Sequence, residues 1–325
     1  MQNVAIVMGG YSGEYKVSLK SGQTIFDHID TSKYNPTKVL IGTDGWFAQV
    51  GDEKIPIDKA DFSFTNEKGE KTEFDVVFNI IHGAPGEDGQ MQAYWQLIGL
   101  PYAGCGHYLS ALTFSKKDCI AVLNKYGISS AKSVYLVKGA PYDLDEIVQE
   151  IGLPCIVKPN QSGSSLGISK VNVKEDFAPA LAKAFEQDKD VLIEEFLEGT
   201  EVSVGVVQYQ GKTIVSGITE IISENEIFDY EAKYEGASQE ITPARLSQEI
   251  TQKVEQITKK AYESLGMKGM SRSEFIIVEG EPNFIEMNTL PGFSPASILP
   301  QQLAYSKIEI KDFITSEIES ALAQK

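Results

Sequence analysis

The sequence predicts an α/β (α+β) protein of two or three domains, with a parallel sheet in an N-terminal α/β domain. Residues 4–29 and 74–97 each read as an apolar strand, a glycine-rich turn and a helix. Consecutive units of this kind form a parallel sheet whose ligand-binding groups lie at the carboxyl ends of the strands. The length of 325 residues also exceeds what one hydrophobic core usually supports, because single cores stop growing at about 250–300 residues.

The composition is that of ordinary globular material, with 42% hydrophobic and 23% charged residues. A formal net charge of −17 without any basic block excludes a nucleic-acid or anionic-membrane surface. The three cysteines show neither C-x-x-C spacing nor a metal-ligand pattern with histidine, so we expect reduced core thiols. The first strand lacks the basic region of a signal peptide, and no apolar run approaches about 18 residues. A cytoplasmic enzyme, with no nucleic-acid and no membrane partner, is therefore expected.

The first two strands each lead into a turn that can bind a ligand. Residues 9–14, Gly-Gly-Tyr-Ser-Gly-Glu, form the first turn. Its backbone N–H groups can face an anion, although plain tight turning explains it equally well. The second turn opens with His82 and ends at Gly89. His82 is either a satisfied core histidine or part of a site, and its place between an apolar strand and a glycine favours the site.

The middle of the chain contains a loop suited to phosphate groups. Helices are predicted over residues 108–135, 142–150 and 176–187. Between two strands, residues 158–167 are rich in glycine and serine, whose N–H and hydroxyl groups can fold over a triphosphate while Lys158 adds a positive charge. The loop lacks the Walker A order, and a merely flexible hairpin is an equal alternative. Farther on, Glu194 and Glu201 bracket apolar residues, as an adenine and ribose site requires.

The last third predicts a long loop, two helices and a hairpin. Residues 220–243 show no clear periodicity, and a polar loop of this length is usually functional or mobile. Within it, Lys233 and Tyr234 can close over a site. Helices are predicted over residues 248–265 and 306–323. Residues 271–288 read as two strands joined by a three-residue turn at residues 279–281.

This hairpin predicts a metal site. With a three-residue turn, Glu274 faces Glu286 and Arg272 faces Asn288, and side-chain alternation puts all four on one face. The opposite face can pack into a core through Phe275, Ile277, Ile285 and Met287. Two opposed carboxylates repel unless a cation lies between them, and together with an amide oxygen they suit Mg²⁺ that also binds phosphate. A solvated polar face is the alternative, and a one-residue slip of register would separate the pairs.

Five motifs, in family order and spacing, make the whole chain resemble the D-alanine–D-alanine ligases of the ATP-grasp superfamily. They occupy residues 9–22, 82–89, 158–167, 229–234 and 286–292. The resemblance implies a three-domain ATP-grasp architecture with ATP between the last two domains. The implied boundaries are 1–104 for the N-terminal α/β domain, 105–193 for the small central domain, and 194–325 for the C-terminal domain with the metal and substrate site.

The resemblance also implies the reaction. ATP phosphorylates the carboxylate of one D-alanine, and the amine of a second attacks the acyl phosphate. The products are D-alanyl-D-alanine for peptidoglycan precursors, ADP and phosphate. Two Mg²⁺ (or Mn²⁺) ions and a homodimer formed through the N-terminal domain are implied as well.

Roles are implied residue by residue. The ATP-binding set is Lys116, Lys158, Ser164, Ser165, Glu194, Phe196, Leu197, Glu201 and Lys233, and the metal ligands are Glu274, Glu286 and Asn288. The tetrahedral oxyanion is stabilised by Arg272 and the Gly292 N–H. The first D-alanine is bound by Glu14, with His82 near its carboxylate. The carboxylate of the second substrate is bound by Ser297 and Ile298. A hydrogen-bonded set of Glu14, Ser164 and Tyr234 positions the closing loop.

Three positions depart from the family pattern, namely Tyr15, Ser115 and Glu274. Glu274 concerns the metal geometry, and Tyr15 concerns the binding of the first substrate. They also keep open an ATP-binding regulatory protein that has lost catalysis.

Two other ligases remain as alternatives. A D-alanine–D-lactate ligase differs in the second substrate, and Tyr234 favours the dipeptide. Another ATP-dependent carboxylate–amine ligase of the superfamily is more remote, because the set of Glu14, His82 and Tyr234 argues against it.

Overall fold

The computed structural model describes residues 1–163, 165–223 and 238–323, and within them the chain forms three β-sheets. Three residues with predicted roles, Ser164, Lys233 and Tyr234, lie outside the described residues. No helix in the described ranges is long and apolar enough to cross a membrane.

The first sheet has the strand order β6-β5-β4-β3-β2-β1-β7. The strands of this sheet and the two helices in the same part of the chain are β1 (Gln2–Gly9), α1 (Tyr15–His28), β2 (Tyr34–Gly42), β3 (Gly45–Val50), β4 (Glu53–Asp58), β5 (Ser63–Thr65), β6 (Lys71–Thr72), β7 (Val76–Asn79) and α2 (Gln90–Leu97). Strand β1 pairs in parallel with β2 and β7, as predicted. The strands from β2 to β6 pair antiparallel, so the sheet is parallel only around β1. These outer strands follow one another through short turns and need no crossover helix.

The second sheet is antiparallel, with the order β10-β9-β11-β8. The elements from the first sheet to the end of the second are α3 (His107–Phe114), α4 (Lys116–Lys125), β8 (Ser133–Val137), α5 (Leu144–Ile151), β9 (Cys155–Pro159), β10 (Ser169–Val171), α6 (Phe177–Gln187) and β11 (Asp190–Glu195). The prediction of one continuous helix over residues 108–135 was wrong. It breaks at Ser115, which has extended backbone, and its last predicted residues belong to β8.

The third sheet has the order β14-β13-β12-β15-β16 among the described residues. The remaining elements are β12 (Thr200–Tyr209), β13 (Lys212–Ser223), β14 (Ser238–Ile241), α7 (Gln248–Leu265), β15 (Ser271–Val278), β16 (Glu281–Asn288), α8 (Ile298–Tyr305) and α9 (Ile310–Leu322). The predicted loop at residues 220–243 overlaps the end of β13 and all of β14. The predicted helix at residues 306–323 begins later, at Ile310. Helix α7 has the predicted bounds because Ser247 caps its first turn and Gly266 ends it in left-handed geometry.

The β15–β16 hairpin places Arg272 opposite Asn288 and Glu274 opposite Glu286, as predicted. The predicted three-residue turn was wrong, because Glu279 and Gly280 alone connect the strands. A bulge in β16 supplies the missing residue. It pairs Phe275 with Phe284, so Phe284 is buried in the core while Ile285 lines a cavity on the other face. The prediction that Ile285 is a core residue was therefore wrong.

Hydrophobic cores join segments that are distant in sequence. Apolar residues of β1 and β7 pack in one cluster with residues of α8 and α9. Helix α4 packs on the third sheet through Cys119, Ile120 and Leu123, and α3 contacts the same sheet with Leu109 against this cluster. The three cysteines are buried without a disulfide, as expected for core thiols. The C-terminal helices thus anchor the first sheet against the third.

Candidate active site

Two cavities meet at Glu286, on the polar face of the β15–β16 hairpin. The first cavity, of about 270 Å³, is lined by Lys116, Lys158, Glu194, Phe196, Leu197 and Glu201, among others. The second cavity, of about 350 Å³, is lined by Glu14, His82, Arg272, Asn288, Gly292 and Ser297, among others. Glu286 lines both. The residues predicted to bind nucleotide and those predicted to bind substrate therefore lie on two sides of one carboxylate.

A buried ion pair forms the floor of the first cavity. Strands β9 and β11 are neighbours, and Lys158 Nζ lies 2.6 Å from Glu194 Oε2. Both residues are almost fully buried, and a buried charge is costly unless an opposite charge lies beside it. On the rim, Lys170 Nζ lies 4.2 Å from the centre of the Phe196 ring. This arrangement combines an apolar slot with cations, as an adenine nucleotide requires.

Lys116, the first residue of α4, reaches the wall between the two cavities. Its Nζ lies 3.1 Å from Glu286 Oε2 and donates a 2.9 Å hydrogen bond to the carbonyl of Ser162. Burial alone lowers the pKa of Lys116, but the carboxylates of Glu286 and Glu274 outweigh it and the pKa is raised. Lys116 therefore stays charged beside the predicted phosphate loop.

Ser115, one of the departures from the family pattern, fixes the start of α4. Its hydroxyl donates to Asp118 Oδ2 at 2.7 Å and accepts from Asn160 Nδ2 at 3.0 Å. Asn160 directly follows β9, at the entrance to the phosphate loop. Ser115 thus connects the helix that carries Lys116 to the strand that carries Lys158.

The two opposed carboxylates of the hairpin are each paired with a cation. Arg272 NH1 lies 3.0 Å from Glu274 Oε1 without hydrogen-bond geometry, and Lys116 pairs with Glu286. Asn288 Nδ2 lies 3.4 Å from Glu286 Oε1. The described residues contain no cluster of three or more His, Cys, Asp or Glu able to hold a metal ion. The donor set is instead two carboxylates and one amide, hard oxygen ligands that fit a divalent cation also bound by phosphate.

His82 is buried with both ring nitrogens engaged. Nδ1 lies 2.7 Å from the Leu290 carbonyl, which only accepts, so Nδ1 carries the proton. Nε2 then accepts from the hydroxyl of Ser21 at 2.9 Å, and that hydroxyl accepts from the Phe293 N–H at 3.0 Å. Burial lowers the pKa of His82, which agrees with a neutral imidazole. His82 is therefore both a cavity residue and a structural link to the loop after β16.

Glu14 lies where three of the motifs meet. It precedes α1, and its carboxylate approaches the backbone of Gly163 so closely that a Cβ atom there would clash with it. A Cβ atom at Gly83 would lie 3.5 Å from Glu14 Oε2. The close approach to Glu14 thus requires glycine at position 163, whereas a Cβ atom at Gly83 would clash with Ser12.

Tyr15 does not line either cavity in the described part of the chain. Its ring packs close to Gly9, where a Cβ atom would lie 2.9 Å from Tyr15 Cε2. The departure at Tyr15 therefore concerns the packing of the first turn.

The loop after β16 leads to a helix N-terminus at the edge of the second cavity. Ser297 precedes α8, and its Oγ accepts from the Ser294 N–H at 3.0 Å. Ile298 is the first helical residue, so the N-terminal N–H groups of α8 are directed at this edge, where an anion is stabilised. Gly292 lies in the same loop and lines the cavity. Ser165, in the phosphate loop, lines the first cavity instead.

Glu87 was not predicted as a site residue, although it lies within the second glycine-rich motif. It is buried, lines the second cavity, and accepts the Gly83 N–H at 3.0 Å. Burial, with the nearby charge of Glu14, raises the pKa of Glu87 to about 8. The motif His82-Gly-Ala-Pro-Gly-Glu87 was the available signal, but only the fold shows that Glu87 points inward.

The chain is similar to known proteins over nearly its whole length. The family model described as D-ala D-ala ligase N-terminus matches residues 3–105, and that described as D-ala D-ala ligase C-terminus matches residues 122–319. A D-alanine–D-alanine ligase of Flavobacterium johnsoniae is 54% identical, over 99% of this chain and 100% of that protein.

Two solved structures extend the likeness to the fold. The VanG D-Ala:D-Ser ligase from Enterococcus faecalis is 30% identical over 98% of both chains, with a TM-score of 0.86. The D-alanine–D-alanine ligase from Bacillus anthracis complexed with ATP is 26% identical over 100% of this chain and 98% of that chain, with a TM-score of 0.80.

Proposed function

The chain belongs to the D-alanine–D-alanine ligase family, and from that premise we propose which of its residues perform each part of the reaction. The protein is an ATP-dependent ligase that joins two D-alanines into D-alanyl-D-alanine for peptidoglycan synthesis. The carboxylate of the first D-alanine takes the γ-phosphoryl group of ATP. The amine of the second D-alanine then attacks the acyl phosphate, and phosphate leaves. The position of Glu286 on both cavities carries the assignment of residues, because phosphoryl transfer must occur where nucleotide and carboxylate meet.

ATP occupies the first cavity. Its adenine lies against the apolar slot that includes Phe196 and Leu197, and Glu201 accepts hydrogen bonds from the ribose hydroxyls. The phosphates lie between Lys116 and Lys158, under the loop that contains Ser164 and Ser165. Glu194 orients Lys158 through an ion pair of 2.6 Å. Lys233 reaches the same phosphates from the segment outside the described residues.

The divalent metal that this family uses would be held by Glu274, Glu286 and Asn288, and we propose two Mg²⁺ or Mn²⁺ ions there. When bound, the metal neutralises charge on the phosphates being transferred. The family departure at Glu274 keeps the carboxylate and adds one methylene. Its oxygen beside Arg272 lacks a hydrogen-bond donor in good geometry, which supports a role as a ligand.

The substrates occupy the second cavity. Glu14 binds the ammonium group of the first D-alanine, and neutral His82 lies beside the carboxylate that is activated. Ser297 and the Ile298 N–H bind the carboxylate of the second D-alanine at the start of α8. Arg272 and the Gly292 N–H stabilise the oxyanion of the tetrahedral intermediate, where preorganised donors are most effective. The family pattern adds Ser164 and Tyr234, which join Glu14 in positioning the second substrate.

We further propose three domains at residues 1–104, 105–193 and 194–325, a cytoplasmic location and a homodimer formed through the N-terminal domain. This family usually forms such a dimer, and Leu97, which is 87% exposed at the end of α2, lies on the domain that would carry the interface.

The direct test is phosphate release from ATP and Mg²⁺ with three sets of substrates. These are D-alanine alone, D-alanine with D-lactate, and L-alanine, with products identified by mass. We expect release with D-alanine alone and a D-alanyl-D-alanine product. A D-alanyl-D-lactate product in preference to the dipeptide would overturn the substrate assignment, and nucleotide binding without any release would indicate a protein that binds ATP only.

Glu286→Gln tests the residue assignment. The substitution removes one negative charge from the wall between the cavities, so we expect kcat to fall by two orders of magnitude or more and Mn²⁺ affinity to weaken. Glu281→Gln is the matched control, because Glu281 lies on the same strand but is exposed and pairs with Lys253. Normal turnover in Glu286→Gln would show that the Glu286 carboxylate takes no part in the reaction.

A further inference from the structure

Glu87 stands out among the buried titratable groups that the proposed reaction does not use. It lies at the end of the second glycine-rich motif, and its carboxyl group accepts the Gly83 N–H at 3.0 Å. The Leu290 N–H lies near the same carboxyl group, and both N–H groups favour its charged form. Glu87 therefore connects the motif that begins at His82 to the loop after β16, across the second cavity.

Leu290 meets the same motif at both of its backbone polar groups. Its N–H lies near the Glu87 carboxyl group, and its carbonyl accepts from His82 Nδ1 at 2.7 Å. Its side chain is buried in the core shared by the first and third sheets. Two residues farther on, Gly292 lines the second cavity. The path of the chain at Gly292 thus depends on how Leu290 is fixed.

We propose that Glu87 is a positioning residue for the ligase reaction, which together with His82 clamps the backbone of Leu290 and so directs the Gly292 N–H at the reacting carbonyl. This inference rests on the proposed role of Gly292. Glu87 itself does not belong to the ATP site, since it does not line the first cavity. A small displacement of an oxyanion donor is enough to slow an acyl transfer by one to two orders of magnitude.

The clamp predicts a separation of kinetic constants. Glu87→Ala removes the acceptor of the Gly83 N–H and the polar group beside the Leu290 N–H. We expect kcat to fall about 10- to 100-fold with KM for ATP within threefold of wild type. Glu87→Gln keeps the shape of the side chain and an acceptor oxygen. The amide is neutral, like the protonated carboxyl group of Glu87, whose pKa is raised to about 8. We therefore expect Glu87→Gln to recover most of kcat, to within about tenfold of wild type.

The control is a second buried carboxyl group that has no part in the clamp. Glu317 on α9 is as buried as Glu87 and lines neither cavity. Glu317→Gln should keep wild-type kcat and KM. Thermal unfolding and ADP binding, measured on every variant, separate an effect on the reaction from a loss of folding.

Several outcomes would overturn the clamp. They are wild-type kcat in Glu87→Ala, a loss of ATP affinity in proportion to kcat, or Glu87→Gln as impaired as Glu87→Ala. If Glu87→Ala does not fold, Glu87→Asp replaces it. Its shorter side chain cannot span both loops, so we expect at least a tenfold loss of kcat, and wild-type kcat would contradict the proposal.

Arg272→Ala, measured in the same assay, separates this proposal from the proposed function. Arg272 contributes to the oxyanion site without touching Leu290. Normal turnover in Arg272→Ala alongside an impaired Glu87→Ala would remove Arg272 from the proposed oxyanion site and leave the clamp on Gly292 intact. The reverse result would overturn the clamp and leave the oxyanion site intact.

Discussion

At the scale of single residues, Glu317 makes folding stability depend on pH. Burial raises the pKa of its carboxyl group to about 8, against an ordinary value of 4.5. Between these values the folded protein keeps a proton that the unfolded chain has released. The free energy of unfolding should therefore fall as pH rises through this window, by up to about 1.4 kcal/mol per pH unit.

Glu317→Gln should remove this part of the pH dependence, because the amide does not titrate. Urea denaturation between pH 5 and pH 8 measures it. Glu319→Gln is the control, since Glu319 lies on the same helix but is exposed and pairs with Lys33. Equal slopes for wild type and Glu317→Gln would show that Glu317 does not retain its proton.

Residue types and spacing were enough to predict where several polar groups meet. The predicted opposition of Glu274 and Glu286 is correct, and His82 lies at the sheet edge. Glu87 could not be identified in this way, because a carboxylate in a glycine-rich turn is usually exposed. Glu87 is buried in a cavity that it shares with the loop after β16, which is distant in sequence. In the sequence Ser115 is visible only as a departure from the family pattern. In the structure its hydroxyl connects the start of α4 to Asn160.

At the scale of elements, the β15–β16 hairpin contains a turn that its sequence does not favour. Glu279 and Gly280 have φ of 49° and 82°, the left-handed geometry of a type I′ turn. Glycine adopts it readily, but glutamate does so at a cost. The sequence suggested a turn that is one residue longer. The predicted pairing of Glu274 with Glu286 is nevertheless correct, because the bulge before Glu286 restores the register.

Glu279→Asn should therefore stabilise the protein, by about 0.5–1 kcal/mol, because asparagine tolerates left-handed backbone. Gln210 has φ of 50° before Gly211 in the β12–β13 turn, and Gln210→Asn should act in the same direction. The same substitution at Glu255, exposed on α7, should be slightly destabilising, since asparagine is a poor helix former. Denaturation midpoints compare the three variants. No gain at either turn would mean that the backbone strain is negligible.

At the scale of the whole molecule, local patterns predicted the elements better than their packing. The helix pattern of α9 and the strand pattern of β1 are both visible in the sequence, but their shared core is not. Contacts of this kind join residues about 300 positions apart, and only the complete set of packed surfaces selects them. The position of α3 and α4 on the third sheet is of the same kind. The sequence thus indicated the motifs of the site, while the fold determines which of them touch.

The first cavity joins the second and third sheets, so nucleotide binding should stabilise the whole chain. Its lining combines Lys158 of β9 with Glu274 and Glu286 of the hairpin. A ligand that binds only the folded state at 100 times its Kd adds about 2.7 kcal/mol, which raises Tm by roughly 5 °C for a chain of this size. We expect this shift with Mg²⁺ and a non-hydrolysable ATP analogue, and a smaller one after the metal is removed with EDTA.

Two neighbouring lysines provide the matched pair for this measurement. Lys116→Met removes a cation that lines the first cavity, and the Tm shift at a fixed nucleotide concentration should largely disappear. Lys117 instead pairs with Asp190 at 3.1 Å and does not line the cavity, so Lys117→Met should keep the full shift. Equal shifts in the two variants would mean that the nucleotide binds elsewhere. Loss of Lys116 weakens nucleotide binding more than loss of Lys117 only if the phosphates contact Lys116.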